Sequence, residues 1–293
     1  MHEHHPDCHC SHEESENRYE KALSEYNFHL HDEEIQAAAE HLLTHRLAAY
    51  DTPEIRASLP AFYDVTSLKV TDTEESILAL VERINRRADE EPETPRPAAV
   101  CVYPNFAALV SRSLEAEETA VACVAGGFPS GQMTSEVKSV EVMLALNEGA
   151  TEIDTVLPVG KLLSGDLEGI ADELGEMKAA CGERKLKVIL ETGALPTARD
   201  IKRAALAAIY SGADFIKTST GKIQPGATPA AAYVMCQTIR EYFEKTGTRI
   251  GFKAAGGIST IEDALTYYTL VRELLGEEWL TPELFRIGTS RLF

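Results

Sequence analysis

The sequence predicts an α/β protein of the (β/α)8 TIM-barrel class with an N-terminal helical extension. Eight short apolar or β-branched runs alternate with helical stretches over about 230 residues, the size such a barrel needs. Several of the helical stretches end at a glycine suited to a C-cap, as in SEVKSVEVMLALNEG and ARDIKRAALAAIYSG. Unusual polar residues also fall toward the C-terminal ends of the apolar runs, where a barrel keeps its chemistry. A doubly wound open sheet is the structural rival, but it would carry a GxGxxG turn after its first strand, and this sequence has none.

Residues 1–17 are polar, acidic and rich in histidine, without apolar periodicity, and read as a disordered tail. Residues 18–58 form the extension. Arg18 to Phe28 reads as a helix, and from Asp32 the residues Ile35, Ala38, Ala39, Leu42, Leu43 and Leu47 recur at helical spacing, with Asp32 placed as an N-cap. The barrel occupies 59–293. Its expected strands lie in Ala61–Leu68, Ala98–Pro104, Thr119–Gly126, Glu152–Pro158, Leu186–Gly193, Asp214–Gly221, Arg249–Gly257 and Leu284–Ser290.

Composition narrows the function. The 47 acidic residues against 28 Lys and Arg give a formal charge of −19, which repels nucleic acid and anionic membranes but leaves room for a local basic patch. No apolar run reaches membrane-spanning length and the N-terminus lacks the regions of a signal peptide, so the expected location is cytoplasmic. The six cysteines make no disulfide framework and are expected as thiols. All nine histidines precede residue 46. A catalytic body without imidazole argues against Ser/His or Cys/His nucleophilic mechanisms and against histidine-ligated zinc, leaving lysine and carboxylate chemistry.

Two segments carry that chemistry, FIKTSTGK (Phe215 to Lys222) and GFKAAGGIS (Gly251 to Ser259). Each sets a lysine, Lys217 or Lys253, in an otherwise apolar strand just before small residues and glycines. Strand alternation puts Phe215, Lys217 and Ser219 on one face. An isolated strand lysine commonly faces outward and snorkels to water, but two at matching places on successive strands suggest amines close enough to depress one pKa, the condition for carbonyl capture as a Schiff base. Asp154, in an apolar run, needs a partner; a structural ion pair and a proton relay are both open to it. Gly221 with Lys222, Gly256 with Gly257, and Gly288 with Thr289 and Ser290 follow the last three strands, where barrels often hold phosphate.

KTSTGK, FKAAGGI and FRIGTSRLF, together with VCVYPNF, GFPSG, EIDTVLP and LKVILETG, resemble the deoxyribose-phosphate aldolases in their longer animal form, in the same order from about Ala61 to Phe293. The resemblance implies a class I aldolase that reversibly cleaves 2-deoxy-D-ribose 5-phosphate to acetaldehyde and D-glyceraldehyde 3-phosphate, with no metal or cofactor, as part of deoxyribonucleoside breakdown. It implies Lys217 as the Schiff-base lysine, Lys253 as the second lysine that lowers its pKa, and Asp154 as the acid/base. Gly221, Lys222, Gly256, Gly257, Gly288 and Ser290 match positions around the phosphate; Asp64, Thr66, Cys101 and Thr220 match positions near the sugar hydroxyls. A sugar phosphate is thus the expected partner, and a homodimer is compatible with it.

Many members of that family continue past the last strand motif into a helix and a tail, in some ending in a tyrosine that assists proton transfer. This sequence ends at Phe293, so that helix and tyrosine are expected to be missing and the helices between Arg18 and Leu47 to cover the flank. Arg291 stands where a small hydroxyl residue is common and either adds a phosphate contact or faces solvent. The segment HEHHPDCHCSHEE has a composition that binds zinc, nickel or copper, against the plainer reading of a solvated tail. A different Schiff-base aldolase and a non-catalytic sugar-phosphate binder or metal-responsive protein are the rival functions.

Overall fold

The computed structural model describes residues 18–293. The tail expected over 1–17, with Cys8, Cys10 and its five histidines, lies outside the described residues. Three helices come first, α1 (Arg18–Ser24), α2 (Asp32–Tyr50) and α3 (Pro53–Ser58), followed by a 3-10 turn at Leu59–Phe62. The strands are β1 (Tyr63–Thr66), β2 (Ala99–Val102), β3 (Ala120–Ala125), β4 (Glu152–Val156), β5 (Lys185–Ile189), β6 (Phe215–Lys217), β7 (Gly251–Ala255) and β8 (Phe285–Thr289). Between them run α4 (Glu74–Glu90), α5 (Ala107–Ser113), α6 (Ser135–Asn147), α7 (Val159–Ser164), α8 (Leu167–Cys181), α9 (Ala198–Tyr210), α10 (Pro229–Thr246) and α11 (Ile261–Leu274).

Each strand pairs in parallel with the next, and β8 pairs with β1 to close the barrel. The alternation read from the sequence is the cause: each apolar run buries both faces, one against the helices and one inside the barrel. Local signals start the helices. Thr73, Thr197, Thr228 and Thr260 accept backbone N–H bonds at the N-termini of α4, α9, α10 and α11.

Three details depart from expectation. Asp32 does not cap its own helix, whose N-cap is His31; its Oδ1 accepts instead from the Ala198 N–H at 2.7 Å, tying the extension to the start of α9. β6 stops at Lys217, because the Thr218 hydroxyl donates to the Ala255 carbonyl at 2.9 Å and turns the chain toward β7. The outer side of β8 is covered by Phe62, whose ring lies 5.1 Å from Phe285 and 6.2 Å from Tyr268, while α2 packs across α10 and α11. Among the described side chains α2 buries Ile35 and Ala39 and packs Leu42, Leu43 and Tyr50 against the core, and the turn adds the buried Leu59 and Phe62.

Most apolar burial lies between strands and helices, through residues such as Ile77, Leu174, Leu206, Ile239, Leu265 and Phe285. The interior of the barrel is divided. On the β2 and β3 side it is small and apolar, with Ala99, Cys101, Ala122 and Val124 packed beside Leu68. On the other strands it is ionic. Asp64, Glu152, Asp154, Lys187, Lys217, Lys253 and Arg286 are all at most 4% exposed. Phe215 floors this half, and Gly251 beside it has to be glycine, since a Cβ there would lie 2.4 Å from the ring.

Candidate active site

Strand alternation builds the ionic half. On β4 it sends Glu152 and Asp154 inward and Ile153 and Thr155 toward α8, where the Thr155 hydroxyl meets Met177. Register then aligns the cations, with Lys217 opposite Lys253 and Lys253 opposite Arg286. Asp154 is the hub: its Oδ2 accepts from Lys217 Nζ at 2.8 Å and Lys253 Nζ at 2.7 Å, and its Oδ1 from Lys187 Nζ at 3.0 Å. Asp64 accepts from Lys253 and, at 2.7 Å, from Arg286 Nη1. Glu152 accepts from Arg286 Nη2 at 2.8 Å and pairs with Lys187.

These contacts join three carboxylates to four basic groups, Lys187, Lys217, Lys253 and Arg286. Fully protonated, the cluster would hold one excess positive charge away from water, which is costly. Of the four basic groups, Lys217 is the one whose ammonium is disfavoured. Burial, reinforced by the neighbouring Lys253 charge, brings its amine below the ordinary lysine value despite Asp154. Burial also works against the Lys253 ammonium, but Asp154 and Asp64 together carry it above the ordinary value. Lys187 is likewise raised, by Asp154, Glu152 and Asp64. Asp154 itself is held well below the usual carboxylate range by its three lysines, which overcome its burial.

Above the ions, at the C-terminal ends of the strands, opens a cavity of about 320 Å³. Of the residues singled out in the sequence, Thr66, Lys217, Thr220, Gly221, Lys222, Gly256, Gly257, Gly288 and Ser290 line it. Asp64, Cys101, Asp154 and Lys253 do not; they lie buried around Lys217 beneath it. Cys101 has its thiol pushed up by burial and by Asp154. Ser219, expected to share the space of Lys217, is buried off the cavity with its hydroxyl unpartnered, because the strand has already ended.

The cavity wall gathers free backbone donors and positive charge. Gly256 and Gly257 adopt φ of +93° and +88°, open to glycine at little cost, and Gly256 packs backbone to backbone against Gly226 and Gly221. The N–H groups of Gly221, Gly256, Gly257 and Ser290 donate to no acceptor among the described residues. Lys69, Lys222 and Arg291 line the same wall, and among the described residues no aspartate or glutamate does, in a chain of net charge −19.

Five contributors escaped the sequence reading: Lys69, Glu152, Lys187, Gly226 and Arg286. A signal existed for three. Lys187 sits between Leu186 and Val188 as Lys217 sits between apolar neighbours, Glu152 shares the period-two face of Asp154, and Arg286 interrupts Phe285 and Ile287. Nothing local marks Lys69 or Gly226, which are brought in by loops. Cys101, Cys123, Cys181 and Cys236 are buried free thiols. Among the described residues no group of His, Cys, Asp and Glu could hold a metal ion, and no helix is long and apolar enough to cross a membrane.

A parallel (β/α)8 barrel with a desolvated lysine at a cationic mouth is the setting of a lysine-dependent enzyme, and the family match makes that enzyme an aldolase, a lyase of carbon–carbon bonds. The chain belongs to the DeoC/LacD family of aldolases, whose model matches residues 66–270. It is 43% identical over 241 residues to a deoxyribose-phosphate aldolase of Homo sapiens, covering 79% of this chain and 76% of that protein. With the deoxyribose-phosphate aldolase of Agrobacterium fabrum it shares 37% identity over 238 residues, 81% of this chain and 88% of that one. Among solved structures, the tetrameric deoxyribose phosphate aldolase from Aeropyrum pernix superposes with a TM-score of 0.64 at 26% identity, covering 85% of this chain and 92% of that chain.

Proposed function

We propose that the protein is a Schiff-base deoxyribose-phosphate aldolase that reversibly cleaves 2-deoxy-D-ribose 5-phosphate to acetaldehyde and D-glyceraldehyde 3-phosphate, in the cytoplasm and in deoxyribonucleoside catabolism. One observation carries the assignment of the nucleophile: of the four buried basic groups in the barrel, Lys217 is the one that also lines the cavity. It is also the one held below its ordinary pKa, so its amine gives up a proton more readily than an ordinary lysine where a carbonyl can reach it.

The chemistry follows from the contacts. The Lys217 amine adds to the C1 aldehyde, and loss of water with uptake of a proton at nitrogen leaves a protonated imine. The C3 hydroxyl gives up its proton as the C2–C3 bond breaks, and the bond's electron pair passes into the enamine now formed at C1 and C2. D-glyceraldehyde 3-phosphate departs. Protonation at C2 and addition of water then release acetaldehyde and restore the amine. Asp154, touching Lys217 Nζ at 2.8 Å, is the group that takes and returns these protons, with Lys253 and Lys187 on its oxygens. The phosphate lies against the free N–H groups, Lys69, Lys222 and Arg291, while Thr66 and Thr220 meet the sugar hydroxyls.

Borohydride reduction in the presence of substrate tests this. Lys217 should be trapped as a covalent adduct, and K217R should lose activity by about a thousandfold or more, the scale expected for an absent nucleophile. An adduct on Lys253 would overturn the assignment.

A homodimer is the assembly favoured by one face. Met133, Val137, Val140, Met143 and Leu144 are each at least 45% exposed and form an apolar stripe on and just before α6. On its barrel-facing side that helix buries Val142, Ala145 and Leu146, together with Lys138 paired to Glu173. The stripe carries no charge, so it is where two copies of so acidic a chain can approach with least repulsion, each stripe covering the other about a two-fold axis. The cytoplasmic location is supported by the four buried free thiols.

A further inference from the structure

We infer that Glu191 is a positioning residue for the phosphate end of the cavity, acting through Thr220; this rests on the aldolase function proposed above. Glu191 stands just past β5, 2% exposed and off the cavity wall. Its backbone is left-handed, with φ of 54° and ψ of 57°. A residue other than glycine, asparagine or aspartate is held there only when surrounding contacts over-determine it.

Its carbonyl accepts from the Ala194 N–H at 2.8 Å, and its side-chain hydrogen bonds all go to one neighbour. Glu191 Oε1 accepts from the Thr220 N–H at 3.1 Å, and Oε2 accepts from the Thr220 hydroxyl at 2.5 Å. A carboxylate only accepts, so the single hydroxyl proton of Thr220 is committed to Glu191 and its oxygen is left to accept. It does so from the Lys222 N–H at 3.0 Å. Glu191, Thr220 and Lys222 are thereby locked in one chain of hydrogen bonds, and Gly221 lies between the two locked residues with its own N–H free. The Lys222 side chain extends from this turn to the Leu68 carbonyl at the far side of the mouth. The end of β5 thus sets the shape of the loop that follows β6, and with it the aim of one backbone donor and one cation of the phosphate wall.

The readout is phosphate discrimination, which a merely structural role would not move. The ratio of kcat/KM for 2-deoxyribose 5-phosphate to that for 2-deoxyribose is measured in the wild type, E191Q, E191A and T220V. E191Q keeps one acceptor but turns the other into a donor facing Thr220, so the ratio should fall about tenfold, mostly through KM for the phosphorylated substrate; E191A and T220V should fall about as far or further. The double variant E191Q/T220V should lose no more than T220V alone, since Glu191 acts through Thr220. If the wild type does not prefer the phosphorylated sugar, the function proposed for the cavity fails. If it does, and E191Q keeps the wild-type ratio within about twofold while losing rate on both sugars, the positioning role is overturned. Should E191A fail to fold, the near-isosteric E191Q and T220V still decide.

Discussion

Lys217 and Lys253 stand in register on adjacent strands and donate to the same oxygen of Asp154, at 2.8 and 2.7 Å. Their surroundings differ in one respect: Lys253 also reaches Asp64, and Lys217 has no second carboxylate among the described residues. Burial penalises both ammonium groups, and only Lys253 has enough negative charge around it to recover. Two residues of one type, on one oxygen, are therefore driven in opposite directions.

Removing that asymmetry should be visible as a pH shift. K253M takes a positive charge from beside Lys217 and frees Asp154 to pair with it more closely, and both effects favour the protonated amine. The acidic limb of kcat/KM, which rises as Lys217 loses its proton, should move to higher pH by about one unit or more, with a loss of about tenfold or more at neutral pH. A pH–rate profile compared with wild type checks this. An unshifted limb with a lower plateau would show that Lys253 does not tune Lys217.

Stability should be acid-sensitive for the same network. Asp64, Glu152 and Asp154 are all held below their usual range in the fold, despite burial, by the lysines and Arg286 around them. The folded protein therefore stays deprotonated where the unfolded chain, titrating near about 4, takes up protons. Their contribution is fully present above about pH 5 and is lost as the pH falls through and below about 4. Urea midpoints between neutrality and pH 3 should drop steeply at the acid end. E152Q should be less stable at neutral pH by about 3 kcal/mol, because Arg286 and Lys187 lose a buried counter-ion, yet show a shallower acid slope. A midpoint that stays flat to pH 3 would contradict this account.

The stripe on α6 makes a prediction about assembly. L144E places a charge in the centre of the paired face, where two copies would bring it against its own symmetry mate. Light scattering coupled to size exclusion should show a dimer for the wild type and a monomer for L144E, with the far-UV spectrum unchanged. A wild type that runs as a monomer at micromolar concentration would remove the dimer from consideration.

The barrel was legible because its evidence is local and repeated: each strand announces itself by an apolar run, and each helix by period and cap. Lys217, Lys253 and Asp154 were legible for the same reason, as charges out of place in such runs. Lys187 carried the same mark and was passed over, since a lysine in a strand becomes conspicuous only when its partners are known. Asp32 shows the converse, because a good N-cap residue at a helix start was used to cap a different helix, Ala198 of α9, 166 residues away.

The order of strands and the supply of catalytic residue types are thus set by the sequence alone, because period and propensity act over a few neighbours. Closure of the barrel decided the rest. It brought seven ionisable groups from six strands into one unhydrated cluster with a proton too many, and placed only Lys217 of its basic members at the cavity. Which lysine yields its proton depends on the distances to Asp64 and Asp154. Those distances belong to the folded barrel, where burial makes each charge felt strongly, and no stretch of sequence contains them.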